Sequence, residues 1–258
     1  MCLECGCGEV EHTHPHDHEH PHTHEHPHDH SHQHTRAAEA GPATRKVEVE
    51  EKLLLKNDRV AERNRAWLAE RGVTAMNLIS APGSGKTTLL ERTLERLRDR
   101  VACAVIAGDQ STDHDARRLQ GKGAPVVQIE TVSACHLSAE QVSRVLPEVV
   151  TEGVRLLFIE NVGNLVCPAA FDLGESFKVA LLSTTEGEDK PVKYPSLFSR
   201  AQVAVLTKLD LDEALGWDAP LCRRYLQQAH PGIFCFELSA KTGAGMDAWI
   251  DYLKKLTA

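Results

Sequence analysis

The sequence predicts an α/β fold in which a mostly parallel central sheet carries helices on both faces, preceded by a disordered tail rich in Cys and His. Three observations support this class. From about residue 76 onwards, short apolar runs alternate with amphipathic stretches of helical period, as in strand–helix–strand units. A glycine-rich loop separates the first of these runs from a helical stretch. The first 44 residues hold too few apolar side chains to bury a core.

Composition divides the chain into residues 1–44 and residues 45–258. The first part holds a cluster of thiols, a tract with His at every second position from His12 to His34, and a linker rich in Ala, Gly and Pro. Because no apolar residue interrupts the tract, we expect it to be disordered without metal. The second part, which we expect to fold as one domain, begins with the apolar pattern of a long helix that ends near Gly72.

The period of the apolar residues predicts the elements that follow this helix. We expect strands at Met76–Ser80, Val101–Ala107, Val126–Ile129, Leu156–Ile159, Val179–Ser183, Val203–Leu206 and Ile233–Leu238. We expect helices at Lys86–Arg98, Asp115–Gln120, Ala139–Val149, Pro220–Ala229 and Met246–Leu256. In such a sheet, ligands bind at the carboxyl ends of the strands.

Charge and composition restrict the classes of partner. The net charge is −8, and residues 1–35 hold seven acidic residues but no Lys or Arg, so the rest of the chain is nearly neutral. Such a body offers no basic stripe for nucleic acid and no basic patch for a membrane surface. There is no apolar run of membrane-spanning length and no signal-peptide pattern, so we expect a cytoplasmic protein. In that compartment its eight cysteines are metal ligands or buried residues rather than disulfides.

The segment from Ser80 to Thr88 has the sequence of a phosphate-binding loop (P-loop) and lies between a predicted strand and a predicted helix. Its glycines let backbone N–H groups turn toward phosphate, Lys86 reaches the outer phosphates, and Thr87 can ligate Mg²⁺. Ser80 replaces the first glycine of the motif, but the phosphate-contacting end is intact. The predicted phosphate-binding residues are Gly83, Ser84, Gly85, Lys86, Thr87 and Thr88.

Two further motifs indicate that the base is guanine, and hence that the nucleotides are GTP and GDP. In Thr207-Lys-Leu-Asp210, the carboxylate can accept from both N1–H and the 2-amino group of guanine, a pair of donors that adenine lacks. A buried acceptor that faces the wrong base is left unpaired, which can discriminate by roughly 10⁴-fold. The motif resembles N-K-x-D of GTPases with Thr in place of Asn, and an S-A-K loop follows the next strand. The predicted base-binding residues are Thr207, Lys208, Asp210, Ser239, Ala240 and Lys241.

Acidic residues at strand ends are expected to serve the γ-phosphate. Glu160 opens the sequence Glu-Asn-Val-Gly where GTPases usually carry D-x-x-G, and Asp109 ends another strand. A carboxylate there can hold Mg²⁺ or orient the attacking water. We therefore predict Lys86, Asp109 and Glu160 as the catalytic residues, with Asp115 a weaker candidate. No glutamine or arginine is obviously placed for the transition state, so we expect slow hydrolysis, on the order of 10⁻⁴ to 10⁻² s⁻¹.

The tail carries two kinds of metal donor. Cys2, Cys5 and Cys7 place three thiols within six residues, and the terminal amine can supply a fourth donor. Thiolates suit Ni²⁺, Zn²⁺ or Cu(I), and Ni²⁺ accepts a planar set of three sulfurs and one nitrogen more readily than Zn²⁺. The twelve histidines between His12 and His34 predict storage of several ions in fast exchange.

Another metal site is suggested by the adjacent Cys135 and His136 together with Cys167. The separation along the chain is long, and a buried structural role remains open for each of the three. Cys167 follows Gly163 closely, so an ion held there would act on the loop that senses the γ-phosphate. Cys103 lies inside an apolar run and is expected in the core.

Together these motifs resemble the HypB family of hydrogenase nickel incorporation GTPases. The resemblance covers the whole chain, from C-x-x-C-G-C near the start through the P-loop, Cys135-His136, E-N-V-G-N-L-V-C-P and T-E-G-E-D-K-P to T-K-x-D and S-A-K. It implies a P-loop GTPase that forms a GTP- or metal-dependent homodimer. It also implies a high-affinity nickel site at Cys2, Cys5 and Cys7, and a nickel or zinc site at Cys135, His136 and Cys167.

The resemblance further implies that nickel passes to a HypA-type partner and then to the large subunit of a [NiFe]-hydrogenase. Three other functions stay open from the sequence. A urease-type nickel GTPase is similar but lacks C-x-x-C-G-C, a P-loop kinase is disfavoured by T-K-x-D and S-A-K, and a nickel storage protein would use GTP only as a regulator.

Overall fold

The computed structural model describes residues 42–109, 114–131 and 135–257, and of residues 42–50, Asp109 and His114 it describes the backbone alone. Cys2, Cys5, Cys7 and the His tract lie outside the described residues, so the predicted disorder of the tail and the division at residue 44 remain predictions. No helix in the described part of the chain is long and apolar enough to cross a membrane.

The core of the domain is a seven-stranded sheet in the order β3-β2-β4-β1-β5-β6-β7. Every pairing between these strands is parallel, which confirms the predicted fold class. β1 lies between β4 and β5, so the loops after β1 and β4 leave the sheet side by side. The strands are β1 Thr74–Ile79, β2 Cys103–Asp109, β3 Val126–Glu130, β4 Leu156–Glu160, β5 Phe177–Ser183, β6 Val203–Thr207 and β7 Phe234–Glu237.

Helices cover both faces of the sheet. The longer ones are α1 Pro42–Glu70, α2 Lys86–Leu97, α4 Ala139–Val149, α9 Ala219–Ala229 and α10 Met246–Lys255, and the shorter ones are α3 His114–Leu119, α5 Cys167–Ala170, α6 Lys190–Lys193, α7 Pro195–Phe198 and α8 Asp212–Leu215. Two single-turn 3₁₀ helices lie at Thr184–Glu186 and Leu209–Leu211.

Alternation along β1 decides which residues face which layer. Met76 and Leu78 pack with α2 and α10 on one face, while Ala75 packs against α1 and α4 on the other. The α10 layer includes fully buried Trp249, whose indole N–H donates to Thr93 Oγ1 at 3.0 Å. β1 is therefore buried on both faces, as expected for a central parallel strand.

The observed elements match the predicted ones with shifts of a few residues at their ends. α1 begins at Pro42, so the end of the predicted linker is helical. The four-residue helices α5 to α8 were not predicted, because one turn shows no apolar period. Cys103 is in the core as predicted, and its burial raises the pKa of the thiol to about 12.

Candidate functional site

The P-loop follows β1 and ends at the first residues of α2. Gly83 and Gly85 have φ of 74° and 93°, and open space surrounds the position that a Cβ would take at each. Glycine reaches this left-handed region without steric cost, so the loop can wrap its N–H groups around an anion. The start of the twelve-residue helix α2 adds its positive dipole at the same point.

The replacement of the first motif glycine by Ser80 has a structural role. The Ser80 hydroxyl is fully buried, accepts a hydrogen bond from Lys86 Nζ at 2.9 Å and donates to the Ala81 carbonyl at 2.8 Å. Ser80 thereby positions the Lys86 ammonium over the loop, next to the place where the outer phosphates of a nucleotide would lie.

Thr87 and Glu160, predicted on separate motifs, meet at the carboxyl ends of β1 and β4. Thr87 Oγ1 donates to Glu160 Oε1 at 2.7 Å, whereas buried Glu160 Oε2 has no hydrogen-bond partner among the described residues. Burial raises the pKa of the Glu160 carboxyl to about 7, although Lys86 and the Thr87 hydroxyl act in the opposite direction. A buried carboxylate oxygen without a partner, beside a threonine hydroxyl, is a suitable donor set for Mg²⁺.

A cavity of about 470 Å³ opens above the P-loop and Glu160. Asp115, the weaker sequence candidate, lines it together with Arg118. Asp109 is the last residue of β2 and lies opposite Glu130 of β3, so its backbone reaches the same edge of the sheet. Its side chain is outside the described part of the structure, and its predicted role stays a prediction.

A second cavity, of about 230 Å³, adjoins the first and is lined by the residues predicted to bind the base. Asp210 Oδ1 accepts from Ser239 Oγ at 2.7 Å, and this hydrogen bond is the main reason that the pKa of the Asp210 carboxyl is lowered. Lys241 Nζ lies 3.7 Å from Asp210 Oδ2, with its side chain mostly in solvent. Lys208 takes a left-handed backbone, with φ of 60°, and lines both cavities. The arrangement keeps Asp210 ionised as a hydrogen-bond acceptor.

Thr207, which replaces the usual Asn of the guanine motif, ties this loop to the P-loop. Its hydroxyl donates to the Ser84 carbonyl at 2.6 Å, and the residue is almost completely buried. Ser84 is also held from another side, because its hydroxyl donates to Glu186 Oε1 at 2.7 Å. These hydrogen bonds fix the position of the predicted base-binding loop relative to the P-loop.

Cys135, His136 and Cys167 come together although they are far apart in the sequence. One potential ligand atom from each lies within 4.8 Å of the others, and Cys135 Sγ is 3.6 Å from His136 Nδ1. Burial lowers the pKa of His136, which favours the neutral imidazole that binds metal. The Phe171 ring stacks on His136 at 3.8 Å between ring centroids. Two sulfurs and one imidazole nitrogen at this spacing suit a transition metal.

The Cys135, His136 and Cys167 cluster and the nucleotide site are joined through the segment between Glu160 and Cys167. Asn161 Oδ1 accepts from the N–H of Leu137, the residue after His136, at 3.2 Å. A Cβ added at Gly163 would lie 3.0 to 3.2 Å from atoms of Pro82, so this segment packs directly on the P-loop.

Sequence reasoning missed three residues of this site. Arg118 donates to Thr88 Oγ1 at 3.0 Å and pairs with Glu91, so an arginine does line the nucleotide cavity. Its position one helical turn after Asp115 was the available signal. Glu186 lies in the T-E-G-E-D-K-P motif, for which no role was predicted. Asn161 lies inside E-N-V-G, and only the folded structure shows that it hydrogen-bonds to Leu137, next to His136.

The fold and the site can be compared with known proteins. Residues 74–233 match the family described as "CobW/HypB/UreG, nucleotide-binding domain". The chain is 50% identical over 210 residues to the hydrogenase maturation factor HypB of Escherichia coli strain K12, a match that covers 81% of this chain and 72% of the relative.

Two solved structures share the fold at substantial identity. HypB from Archaeoglobus fulgidus superposes with a TM-score of 0.75 at 39% identity, covering 80% of this chain and 100% of that one. HypB from Helicobacter pylori, solved in complex with nickel, superposes with a TM-score of 0.73 at 34% identity, covering 78% of this chain and 94% of that one.

The matched region begins at the first residue of β1 and extends beyond β6, so it includes the P-loop, Glu160, the Cys/His cluster and Asp210. The resemblance inferred from the sequence motifs is thereby confirmed. The chain belongs to the CobW/HypB/UreG nucleotide-binding family, as one of its HypB hydrogenase maturation GTPases.

Proposed function

We propose that this protein couples GTP binding and hydrolysis to the uptake and release of a nickel ion at Cys135, His136 and Cys167. One observation carries the proposal. Leu137, the residue after His136 of the Cys135, His136 and Cys167 cluster, donates its N–H to the side chain of Asn161, the residue that follows Glu160 in the nucleotide site. Occupancy of either site can therefore change the geometry of the other.

In the nucleotide half, the P-loop N–H groups and Lys86 bind the phosphates, and Asp210 accepts from the donors of guanine. Thr87 and Glu160 would hold Mg²⁺, which neutralises charge on the outer phosphates. The orphaned Glu160 Oε2 supports this assignment, because ion binding would satisfy it. Asp109 is proposed to orient the attacking water from the neighbouring strand end.

In the metal half, the Cys135 and Cys167 thiolates and the His136 imidazole bind the cargo ion. Ni²⁺ and Zn²⁺ both accept this donor set. The HypB of Helicobacter pylori was solved in complex with nickel, which supports nickel as the ion carried here. Because the thiols must lose their protons, binding should weaken as the pH falls.

The proposed coupling between the nucleotide site and the Cys135, His136 and Cys167 site rests on the short segment from Glu160 to Cys167 that connects them. A nucleotide that draws Glu160 toward the phosphates moves Asn161 and Gly163, which contact the segment after His136 and the P-loop respectively. The same segment ends at Cys167. A small shift would change the separation of Cys167 from Cys135, and metal affinity falls steeply when ligand distances depart from their optimum.

The tail and the partners complete the proposed pathway. Cys2, Cys5 and Cys7 would hold one nickel ion tightly, and the His tract would keep further ions in fast exchange. Nickel would then pass to a HypA-type partner and to the hydrogenase large subunit in the cytoplasm, with a homodimer formed in response to GTP or metal.

The test is a metal titration of the full-length chain in which Cys2, Cys5 and Cys7 are replaced by Ala. In this background, thiolate charge-transfer absorption reports only on the remaining cysteines, because imidazoles of the His tract give no such band. Ni²⁺ is titrated directly, and Zn²⁺ by its displacement of bound Ni²⁺, without nucleotide, with GDP, and with a non-hydrolysable GTP analogue. We expect the affinity to differ between the two nucleotides by about fivefold or more.

Two control variants make the outcome decisive. Cys167→Ser should remove the charge-transfer band or weaken it strongly, and Lys86→Ala should keep the band but lose its dependence on nucleotide. Equal metal affinity in all three nucleotide states would overturn the coupling. It would leave a metal storage protein with an independent GTP site.

A further inference from the structure

Helix α1 carries two asparagines that are buried although most of the described residues around them on the helix are exposed. Asn57 is 8% exposed and Asn64 is 2% exposed. They are separated by two helical turns and therefore lie on the same face. Buried amides in a helix must find hydrogen-bond partners outside it, since the backbone of the helix is already paired.

Both asparagines bridge the same two segments of the domain. Asn57 accepts from the Ala139 N–H at 2.9 Å and donates to the Asp172 carbonyl at 2.7 Å. Asn64 donates to the Ala139 carbonyl at 2.8 Å and to the Leu173 carbonyl at 3.0 Å. Each side chain thus connects the start of α4 with the segment that follows α5.

These two segments carry the metal ligands. Ala139 lies three residues after His136, in the segment that begins at Cys135. Asp172 follows Phe171, whose ring stacks on His136, and Cys167 opens the same segment. Within the described ranges no strand pairing joins these two segments, whereas the α1 amides connect them directly.

The contact between α1 and the Cys167 segment is also sterically tight. A Cβ added at Gly174, where φ is +90°, would lie 2.5 Å from Asn64 Cβ and 2.6 Å from the Ala61 carbonyl oxygen. Arg65 donates twice to the Asp172 carboxylate, at 2.6 and 2.7 Å. This ion pair is half exposed and adds little stability, so position is set mainly by the buried amides and by the close approach at Gly174.

We infer that α1 holds together the two segments that carry the proposed metal ligands. In this inference Asn57 and Asn64 are positioning residues that set the distance between His136 and Cys167. The inference rests on the proposed metal site and adds to it the element that controls its geometry. The ion concerned is a thiophilic divalent transition metal. Outer-shell groups that orient metal ligands commonly change affinity by about 10-fold to 100-fold when removed.

The experiment uses full-length protein with Cys2, Cys5 and Cys7 replaced by Ala, and Co²⁺ as the probe. Thiolate charge-transfer absorption reports on the cysteines that remain, and the part of it that Cys167→Ser removes measures occupancy of the Cys135 and Cys167 site. Asn64→Ala should weaken Co²⁺ binding about tenfold. Arg63→Ala, at an exposed position next to it on α1, should leave the affinity within about twofold.

The outcomes separate this inference from the proposed function. If the parent chain shows no charge-transfer band, the proposed metal site itself is refuted, and the inference about α1 with it. A parent that binds and a folded Asn64→Ala variant that binds equally would overturn the inference about α1 alone. If circular dichroism shows that Asn64→Ala is unfolded, Asn57→Ala carries the same expectation. Unfolding of both variants would also overturn the inference, because α1 would then support the whole domain rather than the metal site.

Discussion

Replacing Glu160 by Gln tests the electrostatics of the nucleotide site. Burial raises the pKa of this carboxyl from 4.5 to about 7. Each pKa unit corresponds to about 1.4 kcal/mol, so ionising Glu160 in the folded chain without nucleotide or Mg²⁺ costs about 3 kcal/mol more than in the unfolded chain. The amide introduced by Glu160→Gln cannot ionise and keeps a similar shape, which isolates this contribution.

The direction of the pH dependence follows from the sign of the shift. Because the pKa is higher in the folded state, the contribution of Glu160 to stability is fully present below 4.5 and is lost as the pH rises to about 7. Above that value both states are ionised and no further loss occurs. The parent chain should therefore lose up to about 3 kcal/mol that the Glu160→Gln variant retains.

Urea unfolding provides the assay, with EDTA present and nucleotide removed. Fully buried Trp249 reports on unfolding by its fluorescence. Free energies of unfolding are measured for parent and variant between about pH 5 and pH 8, and their difference is plotted against pH. If the difference in free energy of unfolding stays constant across this range, the pKa of Glu160 is not raised. The proposal that a bound cation would compensate its buried negative charge would then be refuted as well.

Three further predictions concern the loops around the nucleotide. Thr207→Val removes the hydroxyl that donates to the Ser84 carbonyl and should weaken GDP binding about fivefold, measured with a fluorescent analogue, whereas Thr207→Ser should bind normally. Gly163→Ala places a methyl group against Pro82 and should slow single-turnover GTP hydrolysis several-fold. An unchanged rate would mean that the segment around Gly163 can shift to accept the methyl group without affecting the P-loop. Asp210→Asn should lower GTP affinity by about 100-fold and improve binding of xanthosine triphosphate, and retained GTP preference would exclude Asp210 as the base-reading residue.

Much of the fold could be predicted because its signals are local. Buried parallel strands are continuous apolar runs, and the glycines of the P-loop are required by backbone geometry at those positions. The order of the strands was not predictable, since pairing depends on contacts between distant segments. That order puts β4 beside β1 and brings Glu160 to Thr87 at 2.7 Å.

The candidate metal site at Cys135, His136 and Cys167 was also only partly predictable from the sequence. The adjacency of Cys135 and His136 was visible in the chain, but the long separation from Cys167 left a structural role open for each. Folding brings one potential ligand atom from each within 4.8 Å of the others, and α1 joins the two segments by side-chain hydrogen bonds that no sequence motif predicts. Asn57 and Asn64 read in the sequence as ordinary polar positions on an exposed helix.

The motifs alone predicted the chemistry of this protein: a phosphate loop, a carboxylate that would bind guanine, and sulfur and imidazole donors for a transition metal. Residue type and short spacing suffice for that prediction, because the groups of each motif lie close together along the chain. The connection between those donors and the nucleotide loop became visible only in the folded chain. Such coupling depends on buried contacts between segments far apart in the chain, and these exist only once the sheet has set its strand order and α1 has docked.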